Sequence, residues 1–257
     1  MAVKSVTPGK AKAARETQSG APATANAIID DIVKPLFEDK SLYGYAAIDE
    51  RLKLLTGFSC ALVTLMPFPD MEKMYSPHEF YQMSEALGAA HALKMTEIKR
   101  RLEARGIKYA PPPAAPADDG AYRAEFSYKW AAVRAALGFI GKNDVFVHYK
   151  YGQRVRISCL LLRADVVTFD GDIKSECPAD CRLCVDACPH ACLTGRQWHA
   201  QIMREELINY KSCAAWSRHS GPGKRYLCCH CMMACPWPRF GWQPGNAAKT
   251  GAQGGIP

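Results

Sequence analysis

The cysteines are the feature that most constrains this 257-residue chain, because ten of its twelve fall between residues 177 and 235. Residues 181–189 read CRLCVDACP, and residues 228–236 read CCHCMMACP. Both stretches contain a C-x2-C-x3-C-P run. Bacterial two-cluster ferredoxins use C-x2-C-x2-C-x3-C-P, in which the fourth cysteine binds the other cluster. Two such runs, crossed over, supply eight ligands and predict two [4Fe-4S] clusters.

Each run needs a leading cysteine, and each has a candidate upstream. Cys177 precedes the first run with three intervening residues, and Cys213, in NYKSCAAW, lies well before the second. Cluster one is therefore assigned to Cys177, Cys181, Cys184 and Cys235. Cluster two is assigned to Cys188, Cys213, Cys228 and Cys231. Cys192 and Cys229 are left over, and we interpret them as packed thiols, or as ligands if the register of the runs differs.

Zinc and disulfides are the alternatives to iron–sulfur clusters. Cys-x2-Cys knuckles also build zinc sites, and His190, His219 and His230 lie nearby. Zinc knuckles, however, give no reason for a third cysteine followed by proline in both runs. A disulfide framework would cross-link a small domain along its whole length. Here the first 176 residues contain only two cysteines, Cys60 and Cys159. The clustering therefore favours inorganic ligation in a reducing cytoplasm.

The composition is that of a globular protein, with 48% apolar and 23% charged residues. The longest apolar run, GFSCALVTLMPF, is too short to span a bilayer, and the N-terminus lacks the apolar region of a secretory signal. We therefore expect a cytoplasmic protein without membrane contact. The net charge of +8 supports a polyanionic partner only weakly.

The pattern along the chain predicts two structured parts between two disordered ends. Residues 1–25 and 241–257 lack apolar periodicity and are predicted to be disordered. Helices and strands mix over residues 26–170, and cysteines with short helices fill residues 171–240. The predicted fold class is α+β, with one domain in each of these two ranges.

Several elements are predicted locally. NAIIDDIVKPLF predicts a first helix with Asn26 as its cap, and FSCALVTLM predicts a buried strand. Ser76 and Glu79 form a capping box at the start of a long helix, and Gly106 ends it. FSYKWAAVRAALGFIGKN predicts a helix that ends in a glycine-rich turn. DVFVHY and RVRISCLLL predict two strands joined in a hairpin.

The order of these motifs resembles the epoxyqueuosine reductase family and its relatives, the reductive dehalogenases. The resemblance covers residues 26–240 and rests on GFIGKN, YGQRVR, INYKSC and the paired cysteine runs, the second of which continues into CPWP. It implies a cobalamin-binding domain of the flavin nitroreductase fold, followed by a ferredoxin-like domain with two [4Fe-4S] clusters. In that family the clusters deliver single electrons to the cobalt of cobalamin, whose environment the protein sets.

The same resemblance implies that Lys142 and Asn143 of the GFIGKN turn lie against the corrin. It also implies a reductive reaction on an unidentified substrate and a low-potential electron donor of the ferredoxin or flavodoxin type. Two departures weaken a tRNA substrate. The acidic residue that precedes the GK turn in epoxyqueuosine reductases falls near Tyr122 here, with Asp118 and Asp119 out of register. The helical-repeat tail of many members has no counterpart in the 257 residues.

Two other functions stay open at this point. One is a non-enzymatic two-cluster electron-transfer protein whose N-terminal domain only docks partners. The other is a zinc-stabilised RNA-binding module, which the net charge and the knuckles support. The iron, cobalt and zinc contents of the protein distinguish the three.

Overall fold

The computed structural model describes residues 24–113, 124–221 and 224–237. Apart from residues 24 and 25, the ends predicted to be disordered lie outside these ranges, as do Tyr122, Asp118 and Asp119. The described residues form the helices α1 (Ala25–Val33), α2 (Glu50–Thr56), α3 (Pro77–Ala104), α4 (Tyr128–Arg134), α5 (Leu183–Asp186), α6 (Arg204–Leu207), α7 (Tyr210–Ser217) and α8 (His230–Met233). They form the strands β1 (Tyr43–Ala47), β2 (Cys60–Pro67), β3 (Tyr109–Ala110), β4 (Gly138–Ile140), β5 (Phe146–His148), β6 (Val155–Leu162), β7 (Arg218–Gly221) and β8 (Lys224–Leu227).

A four-stranded antiparallel sheet in the order β1-β2-β6-β3 forms the centre of the fold. β2 and β6 pair along their whole lengths, from Cys60 opposite Leu162 to Pro67 opposite Val155. The first six residues of β2 are all buried, which explains why the strand is a continuous apolar run rather than an alternating one. The predicted strand and the mixture of helix and strand are confirmed, while the predicted arrangement of two domains stays a prediction.

The long helix α3 begins and ends as the sequence predicts. The Ser76 hydroxyl accepts a hydrogen bond from the Glu79 N–H, and the Glu79 carboxylate accepts one from the Ser76 N–H at 2.9 Å. Gly106 follows the helix with φ +69°, a conformation that glycine adopts at little cost. Among the described residues, no helix is both long and apolar enough to cross a membrane.

The cap of α1 is Thr24 and not Asn26, so that prediction is wrong. The Thr24 hydroxyl accepts a hydrogen bond from the Ala27 N–H at 3.3 Å. Asn26 instead pairs through its side chain with the main chain of Val167, at 2.7 Å and 3.1 Å. Asn26 therefore connects α1 to the segment that follows β6. The two residues are 141 positions apart in the chain, so local sequence patterns do not predict their contact.

The predicted hairpin between β5 and β6 is also wrong, because β5 pairs with β4 and β6 pairs with β2 and β3.

Helix α4 ends at Arg134, and Ala136 then takes a φ of 56°, which breaks the helix. The following residues form β4 and not a helix-ending turn. Gly138 lets the two strands meet, since a Cβ there would lie 2.0 Å from the Val147 carbonyl oxygen. The turn between β4 and β5 carries Lys142 and Asn143 to the cysteine-rich segment.

The cysteine-rich segment shares its apolar cores with the rest of the fold. Its short helices α5 and α8 contact each other. The main apolar core holds the sheet residues together with Cys192, Leu193, Trp198, Leu207 and Ile208. A second core contains Phe68, Tyr75, Phe80, Leu87, Cys229 and Met233. Both cores therefore include residues from either side of the predicted domain boundary.

Candidate metal centre

The four cysteines predicted for cluster two line one cavity with a volume of about 220 Å³. They are Cys188, Cys213, Cys228 and Cys231. Three short elements bring them together. Cys188 follows α5, Cys213 lies on α7, and Cys228 and Cys231 lie just before and on α8. Cys228 and Cys231 thus meet at the cavity from either side of the start of α8.

Charges of the cysteines predicted for cluster one act on Cys235 and on Cys184. Burial, followed by the charges of the other three predicted ligands, raises the pKa of Cys235 to about 12. Burial and the charges of Cys177 and Cys181 raise the pKa of Cys184 to about 11. Because Coulomb interactions weaken with distance, these charges indicate that Cys235 lies near the first run. The crossed assignment requires this placement, and the binding of iron there stays a prediction.

Both groups have the donor set of a [4Fe-4S] cluster, four thiolates each. Buried thiolates that repel one another are the environment that a bound cationic centre stabilises. Within the described ranges, no group of three or more His, Cys, Asp or Glu side chains could hold a single metal ion. The thiolates of a cubane each bind a different iron atom, so their sulfurs lie farther apart than those around one zinc.

Cys192 and Cys229, which belong to neither predicted set of ligands, differ in their surroundings. Cys229 is buried in the second core, and its thiol donates to the Tyr75 carbonyl at 3.4 Å. Cys192 lines the cavity of cluster two, where its N–H donates to the Cys188 sulfur at 3.4 Å. Its own thiol donates to the His190 carbonyl at 3.5 Å. Cys229 is thus packed away from both groups, whereas Cys192 supports a predicted ligand through its main chain.

Lys142 lies against the loop of the first run. The residue is 3% exposed, and its ammonium donates to the carbonyl oxygens of Pro178 (2.9 Å), Ala179 (2.8 Å) and Cys181 (3.0 Å). These bonds use all three donors of a lysine. Burial raises the pKa of Cys177, while a hydrogen bond from the Lys142 main chain and the lysine charge lower it.

Asn143 lies against the second run. Its amide exchanges two hydrogen bonds with the Gln153 amide, at 2.8 Å and 2.9 Å, and also donates to the Cys231 carbonyl at 3.4 Å. Burial raises the pKa of Cys231 to about 12, and a hydrogen bond from Asn143 opposes this. The turn therefore contacts both cysteine loops. The predicted contact of Lys142 and Asn143 with a corrin stays a prediction, since the structure places both side chains on these loops.

A second cavity, of about 470 Å³, adjoins the cavity of cluster two, and Asp144 lines both. The rings of Trp130 and Trp198 lie 5.8 Å apart in its wall. Lys129 pairs there with the Asp144 carboxylate at 2.7 Å. Neither Trp198 nor Asp144 carries a sequence signal of its own, because the wall is assembled from segments about 70 residues apart. Gln153, in contrast, lies within the YGQRVR motif, so the sequence could have identified it as a candidate site residue.

Comparison with known proteins gives matches to one family by sequence, although no family model matches the chain. The epoxyqueuosine reductase of Pseudomonas aeruginosa is 30% identical over 121 residues, which is 46% of this chain and 33% of that reductase. The epoxyqueuosine reductase of Staphylococcus aureus is 28% identical over 112 residues, or 41% of this chain and 28% of that reductase. The matched segment thus spans about a third of the length of these curated relatives.

Solved structures share the fold. An epoxyqueuosine reductase with an epoxyqueuosine-modified tRNA-Tyr stem loop aligns with a TM-score of 0.52 at 16% identity, covering 81% of this chain and 64% of that one. A reductive dehalogenase whose structure suggests a mechanism for B12-dependent dehalogenation aligns with a TM-score of 0.56 at 17% identity, covering 77% and 29%. This chain is therefore similar in sequence to epoxyqueuosine reductases over part of its length, and it shares its fold with them and with reductive dehalogenases.

Proposed function

We propose that the protein is an iron–sulfur oxidoreductase of the epoxyqueuosine reductase-like type, which passes single electrons through two [4Fe-4S] clusters to a reductive reaction. The observation that supports the proposal is that Cys188, Cys213, Cys228 and Cys231, the predicted ligands of one cluster, line a single cavity. The curated relatives, which are named as reductases, support the reaction class.

The two groups lie next to each other, which is what electron transfer between clusters requires. Among the charges that act on Cys231, a predicted ligand of cluster two, is that of Cys184, a predicted ligand of cluster one. The helices that carry these two residues, α8 and α5, are in contact. The crossed assignment thus makes the pair a short path for electrons.

We propose cobalamin as the acceptor of these electrons, on the basis of the shared fold alone. When bound, cobalamin supplies a cobalt centre for one-electron chemistry. The side chains of Lys142 and Asn143 bond to protein carbonyls and to the Gln153 amide, so their contact with a corrin stays a prediction. We therefore derive no step through the corrin. The substrate would lie under residues 66–77 or 109–128, and residues 114–123 of the second range lie outside the described residues.

The proposed partners follow from the same likeness. A low-potential ferredoxin or flavodoxin would supply the electrons. The solved complex of an epoxyqueuosine reductase with a tRNA stem loop makes tRNA a candidate substrate, and the net charge of +8 is compatible with a polyanion.

The test is to purify the protein without oxygen, measure its iron, zinc and cobalt, and then add cobalamin. We expect about eight irons per chain and the electron paramagnetic resonance (EPR) signals of two reduced cubanes. Binding of cobalamin with a base-off cobalt signal would support the proposed acceptor. About eight irons without corrin binding would favour the electron-transfer protein instead. Zinc in place of iron would overturn the proposal and favour the RNA-binding module.

A further inference from the structure

The Lys142 ammonium is a buried positive charge in an unusual position. It is held by the carbonyl oxygens of three residues in the segment 178–181 and is 3% exposed. In the described part of the chain, no carboxylate forms an ion pair with it. Carbonyl dipoles stabilise an ammonium without neutralising it, and a buried charge without an opposite charge is costly. The site therefore needs negative charge close by.

The loop that Lys142 holds is itself the source of that charge. Cys177 and Cys181 flank the segment, and both are predicted ligands of cluster one. A cubane with four thiolates is anionic, and it becomes more negative by one charge when it takes up an electron. Asn143, the next residue, offers only a neutral amide to the loop of cluster two. The turn thus presents a positive charge to one cluster and a dipole to the other.

We infer that Lys142 is a positioning residue that holds the loop of cluster one and raises its one-electron reduction potential above that of cluster two. A nearby positive charge favours the reduced, more negative form, and a poorly solvated site strengthens the effect. At equilibrium, a single electron that enters the two clusters therefore resides mainly on cluster one. The inference depends on the proposed function, because it requires both clusters.

The test is an EPR-monitored redox titration of anaerobic Lys142→Gln, with dithionite as the source of one electron per cluster. We expect the ratio of reduced to oxidised cluster one to fall at least tenfold at a fixed potential, which corresponds to a midpoint about 59 mV lower. The midpoint of cluster two should move much less. Cys213→Ser, which removes a predicted ligand of cluster two, identifies the signal of cluster one.

Lys174→Gln is the matched control. It removes the same charge three residues before Cys177, from a side chain that is 81% exposed and paired with Asp172 at 2.9 Å. Because water and salt screen such a charge, both midpoints should stay near those of the unmodified protein. An equal shift in Lys174→Gln would overturn the inference, as would unchanged midpoints in Lys142→Gln with full iron.

Lys142→Gln could also fail to take up iron, and Lys142→Arg is then titrated instead. The guanidinium keeps a positive charge beside the loop, so the midpoint of cluster one should stay above that of cluster two. A midpoint of cluster one at or below that of cluster two would overturn the inference. The iron content of the unmodified protein tests the two-cluster proposal separately, so the two failures are distinguishable.

Discussion

Cys229 and Cys231 lie two residues apart, yet their sulfurs face different surroundings. Cys231 lines the cavity of cluster two, whereas Cys229 is packed in an apolar core.

We expect Cys231→Ser to lower the iron content from about eight to about four per chain, since serine is a poor ligand for cluster iron. Cys229→Ser should keep its iron and lose about 1 kcal/mol of stability. Iron analysis of both anaerobic proteins checks this, and iron loss confined to Cys229→Ser would mean that Cys229 and not Cys231 is the ligand.

His91 gives the fold a dependence on pH. Burial, with the charges of Arg156 and Lys94, lowers the pKa of His91 from 6.5 to about 4, and its ring shares a hydrogen bond with the Thr64 hydroxyl at 2.8 Å. Between these two values the unfolded chain binds a proton that the folded chain does not. The free energy of unfolding therefore falls as pH drops from 6.5 towards 4, by an amount on the order of 3 kcal/mol in full.

The measurement is urea unfolding of the unmodified protein and of His91→Gln between about pH 5 and pH 7. The glutamine keeps a hydrogen-bonding group near Thr64 but binds no proton, so the free energy of unfolding should vary less with pH. His199→Gln, at an exposed position, should retain the original dependence. An unchanged pH dependence in His91→Gln would show that other groups cause it.

Among the secondary-structure elements, the hairpin of β4 and β5 matters most for the site, because its turn contacts both cysteine loops. A Cβ at Gly138 would lie 2.0 Å from the Val147 carbonyl oxygen, and this backbone atom cannot move without opening the hairpin. We expect Gly138→Ala to cost about 3 kcal/mol or more and to lower the iron content of both clusters. Denaturant unfolding and iron analysis measure the two effects.

Gly106→Ala separates this clash from the general cost of replacing a glycine. Gly106 has a φ of +69°, but beyond its own and the two adjoining residues no atom of the described chain lies within 4 Å of the position of a Cβ. The substitution should therefore cost about 1 kcal/mol through backbone strain alone and leave the iron content unchanged. If Gly138→Ala behaved like Gly106→Ala, the close approach of the two strands would not be what positions the turn.

The elements also show what the sequence could and could not predict. The start of α3 was predictable because Ser76 and Glu79 form their capping box within three residues. The pairing of β5 was not, because a strand of three residues has little pattern of its own and β4 reads as the end of a helix. The same holds for the site. The cysteine spacing is local and predicts the two groups, whereas the carbonyls that hold Lys142 lie more than 30 residues away in the chain.

At the scale of the whole molecule, the cysteine-rich segment and the sheet share their apolar cores. Trp198 and Leu207 pack in the same core as the residues of β2 and β6, although they follow the predicted boundary at residues 170–171. Residues that share a core unfold together in small cooperative proteins. Binding of the clusters should therefore stabilise the sheet as well as the loops that carry the thiolates, since binding to a folded site adds to its folding free energy.

This continuity predicts a single unfolding transition. In an anaerobic denaturant titration, the visible absorbance of the clusters and the far-ultraviolet circular dichroism of the helices and sheet should be lost at the same midpoint. Trp198→Ala, which removes a side chain that is 7% exposed, should shift both midpoints together by an amount equivalent to about 3 kcal/mol. Loss of the visible signal well before the circular dichroism, with only the first midpoint sensitive to Trp198→Ala, would instead reveal two units that fold independently. That outcome would support the boundary expected from the sequence and would confine the stabilising effect of the clusters to residues 171–240.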